Sequence, residues 1–181
     1  MRLERARQLS ESMVDGDVLR RAMRRVSSPV TVVTAEGMGE VRGITVGSFT
    51  SVSLDPPLIS FLVACEARMH DVIADAAGYA VHVLSSEQAR LATIFAEPDR
   101  TGPEQFAAVS CELDDNDIPS LTDAPVVFHS TPYAMHPAGD HSLFIGRVRS
   151  VTLGVSDSPL VYWDGSYYRL GVRLPERVWP F

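Results

Sequence analysis

Residues 43–57 read Gly-Ile-Thr-Val-Gly-Ser-Phe-Thr-Ser-Val-Ser-Leu-Asp-Pro-Pro, and this stretch constrains the chain more than any other. Its Ile, Val and Thr residues suit an extended strand, and the double proline forces a corner after it. Between Thr45 and Ser53 it carries five hydroxyls (Thr45, Ser48, Thr50, Ser51, Ser53). A buried hydroxyl must have a hydrogen-bond partner. Two kinds of partner fit: neighbouring main chain, or a flat polar ligand brought close to a strand of small residues.

Composition removes several classes of function. The chain has 181 residues and a net charge of −7, which suits one domain and argues against a general nucleic-acid binder. All 16 basic residues are Arg. Without Lys there is neither a Schiff-base amine nor the lysine of a phosphate loop. No Gly-x-Gly-x-x-Gly motif signals a dinucleotide fold. Cys65 and Cys111 lack metal-ligand spacing and are expected to be reduced core or near-core residues. The N-terminus is charged without an apolar segment, and no run is long enough to span a bilayer. These features predict a cytoplasmic protein with no membrane and no nucleic-acid partner.

Hydrophobic periodicity places the elements. A helix is expected from Asp17, its cap, with Val18, Leu19, Ala22, Met23 and Val26 on one face and Arg20, Arg21, Arg24 and Arg25 on a solvated face. Residues 30–35 and 41–46 form a hairpin around Gly37 and Gly39, and Gly47 marks a bulge or close approach. Residues 58–64 read as a central strand, 69–77 as a helix stopped by Gly78, and 79–84 as a strand. A helix capped by Ser85 or Ser86 runs to Ala96. Residues 97–124 read as mostly loop, with Asp114, Asp115 and Asp117 in a solvated acidic stretch that lacks the Gly and Glu of a calcium loop. Strands follow at 124–130 and 142–153, with a turn over 136–141 and a register break near Ser150. A hairpin closes on Asp164-Gly165. Strands in hairpin succession, with helices at the start and middle, predict a mainly β, antiparallel barrel with flanking helices. The expected organisation is a polar arm over 1–16, one domain over 17–171, and a tail over 172–181 whose Trp179 and Phe181 dock on the body or a partner.

The motifs stand in an order that resembles the short-chain flavin reductases. The resemblance spans Leu19 to Leu170 and rests on residues 19–34, the 43–58 signature, and Tyr79 to Ser85, where the family usually has Asn in place of His82. It continues through Phe95-Ala96, Gly139-Asp140-His141 and the closing segment Leu160 to Tyr167. It implies an antiparallel Greek-key split β-barrel, a homodimer, and an NAD(P)H-dependent flavin reductase. Such an enzyme passes hydride from NADH or NADPH to N5 of FMN, with FAD and riboflavin as alternatives, and can supply a flavin-dependent monooxygenase. Carried over, Thr45, Val46, Ser48 and Phe49 meet the flavin ring, and Thr50, Ser51 and Ser53 lie near the ribityl chain or phosphate. Phe95 and Ala96 complete the cofactor site, Arg68 meets the phosphate, and His141 positions nicotinamide. The family's hydroxyls around the phosphate arginine are replaced here in Ala67-Arg68-Met69. That change motivates the alternative of a non-catalytic flavin-binding or scaffold protein of the same fold. Hydride transfer needs two stacked rings and no protein acid or base, so the lack of a catalytic triad is expected.

Other groupings carry less. His129, His136 and His141 lack the spacing of a metal site, and no metal is expected. Trp163, Tyr167 and Tyr168 read as hairpin packing.

Overall fold

The computed structural model describes residues 14–107, 109–114, 117–155 and 158–171. The expected arm before residue 14, the tail over 172–181 with Trp179 and Phe181, and Asp115 of the acidic stretch lie outside these residues.

The first helix, α1 (Gly16–Met23), is capped by Asp15 and not by Asp17. Asp15 Oδ1 accepts from the amides of Asp17 and Val18 at 2.7 and 3.0 Å. Asp17 instead pairs with Arg20 one turn on. Short β1 (Ser28–Pro29) precedes the hairpin of β2 (Thr31–Gly37) and β3 (Glu40–Val46). Then come β4 (Thr50–Leu54), β5 (Pro57–Ala64), α2 (Arg68–Asp75) and β6 (Tyr79–Val83). A 3₁₀ turn at Ser86–Gln88 leads into α3 (Ala89–Ala96) and α4 (Gly102–Phe106). The strands β7 (Cys111–Leu113) and β8 (Pro119–Leu121) follow, then the long pair β9 (Val126–Ala138) and β10 (His141–Leu153). The hairpin of β11 (Leu160–Trp163) and β12 (Ser166–Arg169) ends the described chain.

The fold is mainly β and antiparallel, with flanking helices, as expected. The main sheet has seven strands in the order β3-β2-β6-β9-β10-β5-β4, and β1-β11-β12 and β7-β8 form two smaller sheets. The outermost strands of the main sheet, β3 and β4, are consecutive in the chain and are joined by only Gly47, Ser48 and Phe49. Both faces of the centre are covered. Val33, Phe61, Val63, Val72, Ile73, Tyr79, Val81 and Phe144 form one apolar cluster beneath α2. Val30, Val32, Leu84, Ala92, Phe95 and Leu160 form a second beside α3. Adjacent residues Val32 and Val33 thus serve opposite clusters, as strand alternation requires.

Several expectations need correction. The stretch 97–124 is mostly loop, as expected, but it also holds α4, whose Thr101 and Glu104 form a capping box, and the β7-β8 hairpin, which the expectation lacked. Three-residue strands are too short to show alternation, which is why periodicity passes over them. The expected turn over 136–141 contracts to Gly139-Asp140, because β9 continues through Pro132 and Pro137. Gly139 supplies the positive φ, 69°, that this tight turn needs. The register break falls as expected between Val148 and Ser150, and a second lies between Ile145 and Gly146. Cys65 and Cys111 are exposed thiols, because each sits at an element end and not on a core face. Among the described residues no helix is long and apolar enough to cross a membrane.

Candidate functional site

The hydroxyl-rich stretch lies where the two margins of the main sheet meet. Thr45 Oγ1 donates to the Ala92 carbonyl at 2.8 Å, tying β3 to α3. Ser48 Oγ accepts from the Leu62 amide at 2.9 Å, tying the connection to β5. Val46 is buried, and its carbonyl accepts from Thr31 Oγ1. The Phe49 ring packs on Phe128 with centroids 5.3 Å apart. Neighbouring main chain therefore answers for Thr45 and Ser48. Thr50 and Ser51 are exposed and Ser53 is half-buried on the edge strand β4, where Val52 bulges out of register. These three are the hydroxyls left facing outward.

The main chain of β3 has a second property. Gly43 gives its amide and its carbonyl to the Gln105 side chain, so both groups point away from β2. In an antiparallel pair this direction alternates, so Thr45, two residues on, also turns its N–H and C=O outward. That edge opens on a cleft of about 270 Å³ walled by Pro29, Val46, Gly47, Tyr162 and Tyr167. The cleft is mostly apolar, with a peptide edge along one side. The larger cavity of the molecule, about 890 Å³, lies elsewhere between the β2-β3 turn and β7-β8 and includes none of the candidate residues. Volume alone favours that cavity. The small cleft is the better candidate because flat walls, a peptide edge and the motif residues converge there.

The remaining candidates lie around α2 and the β9-β10 turn. Arg68 is exposed in the first turn of α2, and Ala67 before it makes no side-chain cap. The helix start thus combines amides that no side chain caps with a guanidinium, a setting that suits an anion. His141 opens β10, pairs with Ala64, and donates Nδ1–H to Asp140 at 2.6 Å. That hydrogen bond, with the charge of His141, holds the Asp140 carboxyl below its ordinary range. It leaves His141 Nε2 directed away from Asp140. Phe95 is buried in the second cluster, edge-on to Phe106 and against Gly43, while Ala96 is exposed at the end of α3. The structure therefore brings Thr45, Val46 and Gly47 together at the cleft, sets Arg68 and His141 around α2 and β10, and keeps Phe95 in the core.

Sequence reasoning passed over His70. Its Nε2 lies 2.9 Å from Ser142 Oγ, its Nδ1 lies 3.0 Å from Asp71, and its ring is edge-on to Phe144. It joins the start of α2 to the start of β10. Only the pairing of β5 with β10 brings these positions together, and no local pattern announces it. His82 is wholly buried: Nδ1 donates to the Val32 carbonyl and Nε2 accepts from the Leu121 amide, each at 3.0 Å. This ring is neutral, and burial pushes its pKa down to about 4. His129 pairs with Asp114 and Thr152, far along β9 from His136. Among the described residues no three His, Cys, Asp or Glu side chains gather as a metal site.

The antiparallel fold sets a peptide edge along a mostly apolar cleft, a shape that receives a planar ring with polar groups on its rim. The chain belongs to the flavin reductase like domain family, whose model matches residues 23–171. It is 35% identical over 170 residues to an NADH-dependent flavin reductase of Rhodococcus sp, covering 90% of this chain and 91% of the relative. An NADH:FMN oxidoreductase of Rhodococcus erythropolis is 37% identical over 174 residues, covering 90% and 85%. Among solved structures, BorF, the flavin reductase component of a bacterial two-component tryptophan halogenase, superposes with a TM-score of 0.80 at 34% identity. That match covers 88% of this chain and all of BorF, 100%. The NADH:FAD oxidoreductase SgcE6 of Streptomyces globisporus C-1027 gives 0.81 at 31%, covering 92% and 96%.

Proposed function

We propose that this chain is an NAD(P)H:flavin oxidoreductase that reduces FMN, FAD or riboflavin and releases it to a partner monooxygenase. The observation that carries the reading is the outward peptide edge of Thr45 at the apolar cleft. It offers a donor and an acceptor in one plane, which fits the alternating carbonyl and N–H edge of a flavin pyrimidine ring. Bound flavin supplies the redox chemistry, accepting hydride at N5 from C4 of reduced nicotinamide.

The chain's own residues then bind and orient. Thr45, Val46, Ser48 and Phe49 hold the ring's edge and its wall, and Ser48 fixes the connection through Leu62. Thr50, Ser51 and Ser53 face the ribityl chain and phosphate from β4. Arg68 at the start of α2 meets the phosphate. Phe95 acts from the core, shaping β3 through its contact with Gly43, with Ala96 at the rim. His141, oriented by Asp140, offers Nε2 to the nicotinamide. No side chain has to move a proton for the hydride step. The catalytic domain is taken as 17–171, with 1–16 and 172–181 as flanking segments, and two copies as the working unit. The exposed thiols of Cys65 and Cys111 suit a reducing, cytoplasmic setting.

The test is purified protein mixed with NADH or NADPH and each of the three flavins, followed by loss of the reduced-nicotinamide absorbance. Oxidation with at least one pair is expected. No oxidation above a protein-free control with any pair overturns the reading.

A further inference from the structure

His70 ties the first turn of α2 to the start of β10. Its ring is half-buried and edge-on to Phe144, with centroids 5.6 Å apart. Asp71 Oδ1 lies 3.0 Å from Nδ1, and in the neutral ring that contact places the proton on Nδ1 and leaves Nε2 as an acceptor. The Ser142 hydroxyl, 2.9 Å away and buried, then donates to Nε2. At the far end of the helix Asp75 Oδ2 accepts from the Met38 amide, so α2 is pinned at both ends.

The His70 contact matters for what stands beside it. Ser142 follows His141 in β10, and strand alternation sends their side chains to opposite faces: Ser142, Phe144 and Gly146 are buried, while His141, Leu143 and Ile145 are half-buried. On the other side of His141 the Asp140 carbonyl accepts from the Cys65 amide at 2.9 Å. His141 itself pairs with Ala64. The Ala64 carbonyl accepts from the Ala67 amide at 3.0 Å, and the Ala67 carbonyl accepts from the His70 amide at 2.8 Å. Residues 64–70 and 140–142 thus make a closed frame. Arg68 stands on its helix side and His141 on its strand side. Cys65 closes the frame before His141 through main chain, and His70 closes it after His141 through a side chain.

We propose that His70 is a positioning residue that makes the flavin phosphate and the nicotinamide bind interdependently. This coupling rests on the reading above, in which Arg68 meets the phosphate and His141 the nicotinamide. A phosphate held by Arg68 fixes the first turn of α2, which carries His70. His70 then fixes Ser142, and Ser142 fixes its neighbour His141. Such coupling is reciprocal, so nicotinamide strengthens the hold on the phosphate by the same factor. Riboflavin has no phosphate and leaves the frame unfixed. One hydrogen bond sets the scale, about two- to ten-fold.

The experiment measures KM for NADH with saturating FMN and with saturating riboflavin. In the wild type KM is expected to be lower with FMN by about two-fold or more. His70→Leu keeps the bulk without a polar atom and should bring the two values together at the riboflavin level. His70→Gln returns a hydrogen-bonding atom near the position of Nε2 and should restore most of the difference. Arg68→Ala should erase it, because the phosphate then no longer acts on α2. Ser142→Ala removes the same bond from the strand side and should also erase it, which keeps the test open should His70→Leu misfold. The coupling is overturned by a wild type with equal KM values, by a His70→Leu, Ser142→Ala or Arg68→Ala variant that keeps the wild-type ratio whatever happens to kcat, or by a His70→Gln variant that behaves as His70→Leu does. A wild type that oxidises NADH with no flavin at all overturns the flavin reductase reading itself, whereas an active wild type without the FMN–riboflavin difference overturns the coupling alone.

Discussion

The carboxamide of Gln105 holds both main-chain groups of Gly43: Oε1 accepts the Gly43 amide at 3.1 Å, and Nε2 donates to its carbonyl at 3.0 Å. Gln105 is buried, so its side chain from α4 completes the edge of β3 as a neighbouring strand does. Gly43 makes room for this arrangement, since a Cβ there would lie 2.6 Å from the Phe95 ring. Replacing Gln105 with Leu strands one buried donor and one buried acceptor. The expected loss is about 2–4 kcal/mol in urea unfolding. Flavin affinity should weaken with it, because Thr45 is two residues along the same edge.

Burial keeps His82 neutral, with its pKa lowered to about 4 against 6.5 in the unfolded chain. Between these values the unfolded state binds the extra proton, so stability rises with pH. The contribution is complete above about pH 6.5 and is lost as pH falls towards 4, on the order of 3 kcal/mol in all. His82→Asn retains a donor for Val32 and an acceptor for Leu121 without the titration. Thermal melts of that variant from pH 7 to 4 should lose this slope, measured against about the same carboxylate background.

Tyr79 and Gly146 press on one another inside the first apolar cluster. The Tyr79 hydroxyl is buried with no hydrogen-bond partner among the described residues, and a Cβ on Gly146 would overlap it. Gly146→Ala should cost about 1–3 kcal/mol through overpacking. Tyr79→Phe should be neutral or stabilising by up to about 1 kcal/mol, because it removes an unpaired polar atom. The double variant should recover only part of the loss, because the ring carbons Cε2 and Cζ stay 2.8 Å from the added Cβ, and a double-mutant cycle by chemical unfolding measures that coupling.

Arg68 and His141 separate the two ends of the reaction. Arg68→Ala is expected to weaken FMN about ten-fold and to leave riboflavin unchanged, since only FMN carries the phosphate. Flavin titration by fluorescence reads both. His141→Ala should raise KM for reduced nicotinamide with little change in flavin affinity. Asp140→Asn should give a smaller rise, because it loosens the orientation of His141 without removing the ring.

How far the sequence foretells this molecule depends on the range of the signal. The β2-β3 and β11-β12 hairpins are legible because a strand alternation and a Gly turn lie within one short window. The 43–57 stretch is legible because hydroxyls at that density need partners. Thr45 and Ser48 find theirs in Ala92 and Leu62, which no spacing rule links to them. The roles of Gln105 and His70 are invisible for the same reason. Each acts across a tertiary contact, on Gly43 and Ser142, between residues 62 and 72 positions apart. The β7-β8 hairpin escapes notice because its strands are shorter than any pattern they could display.

Gly47, Ser48 and Phe49 act as the buckle of a belt. They link the first and last strands of a sheet whose other five strands lie between. A ligand seated at the buckle therefore fastens both ends at once. Saturating flavin should raise the melting temperature of the whole domain and slow proteolysis at sites remote from the cleft, while a nick at Gly47 should loosen strands that never touch the ligand.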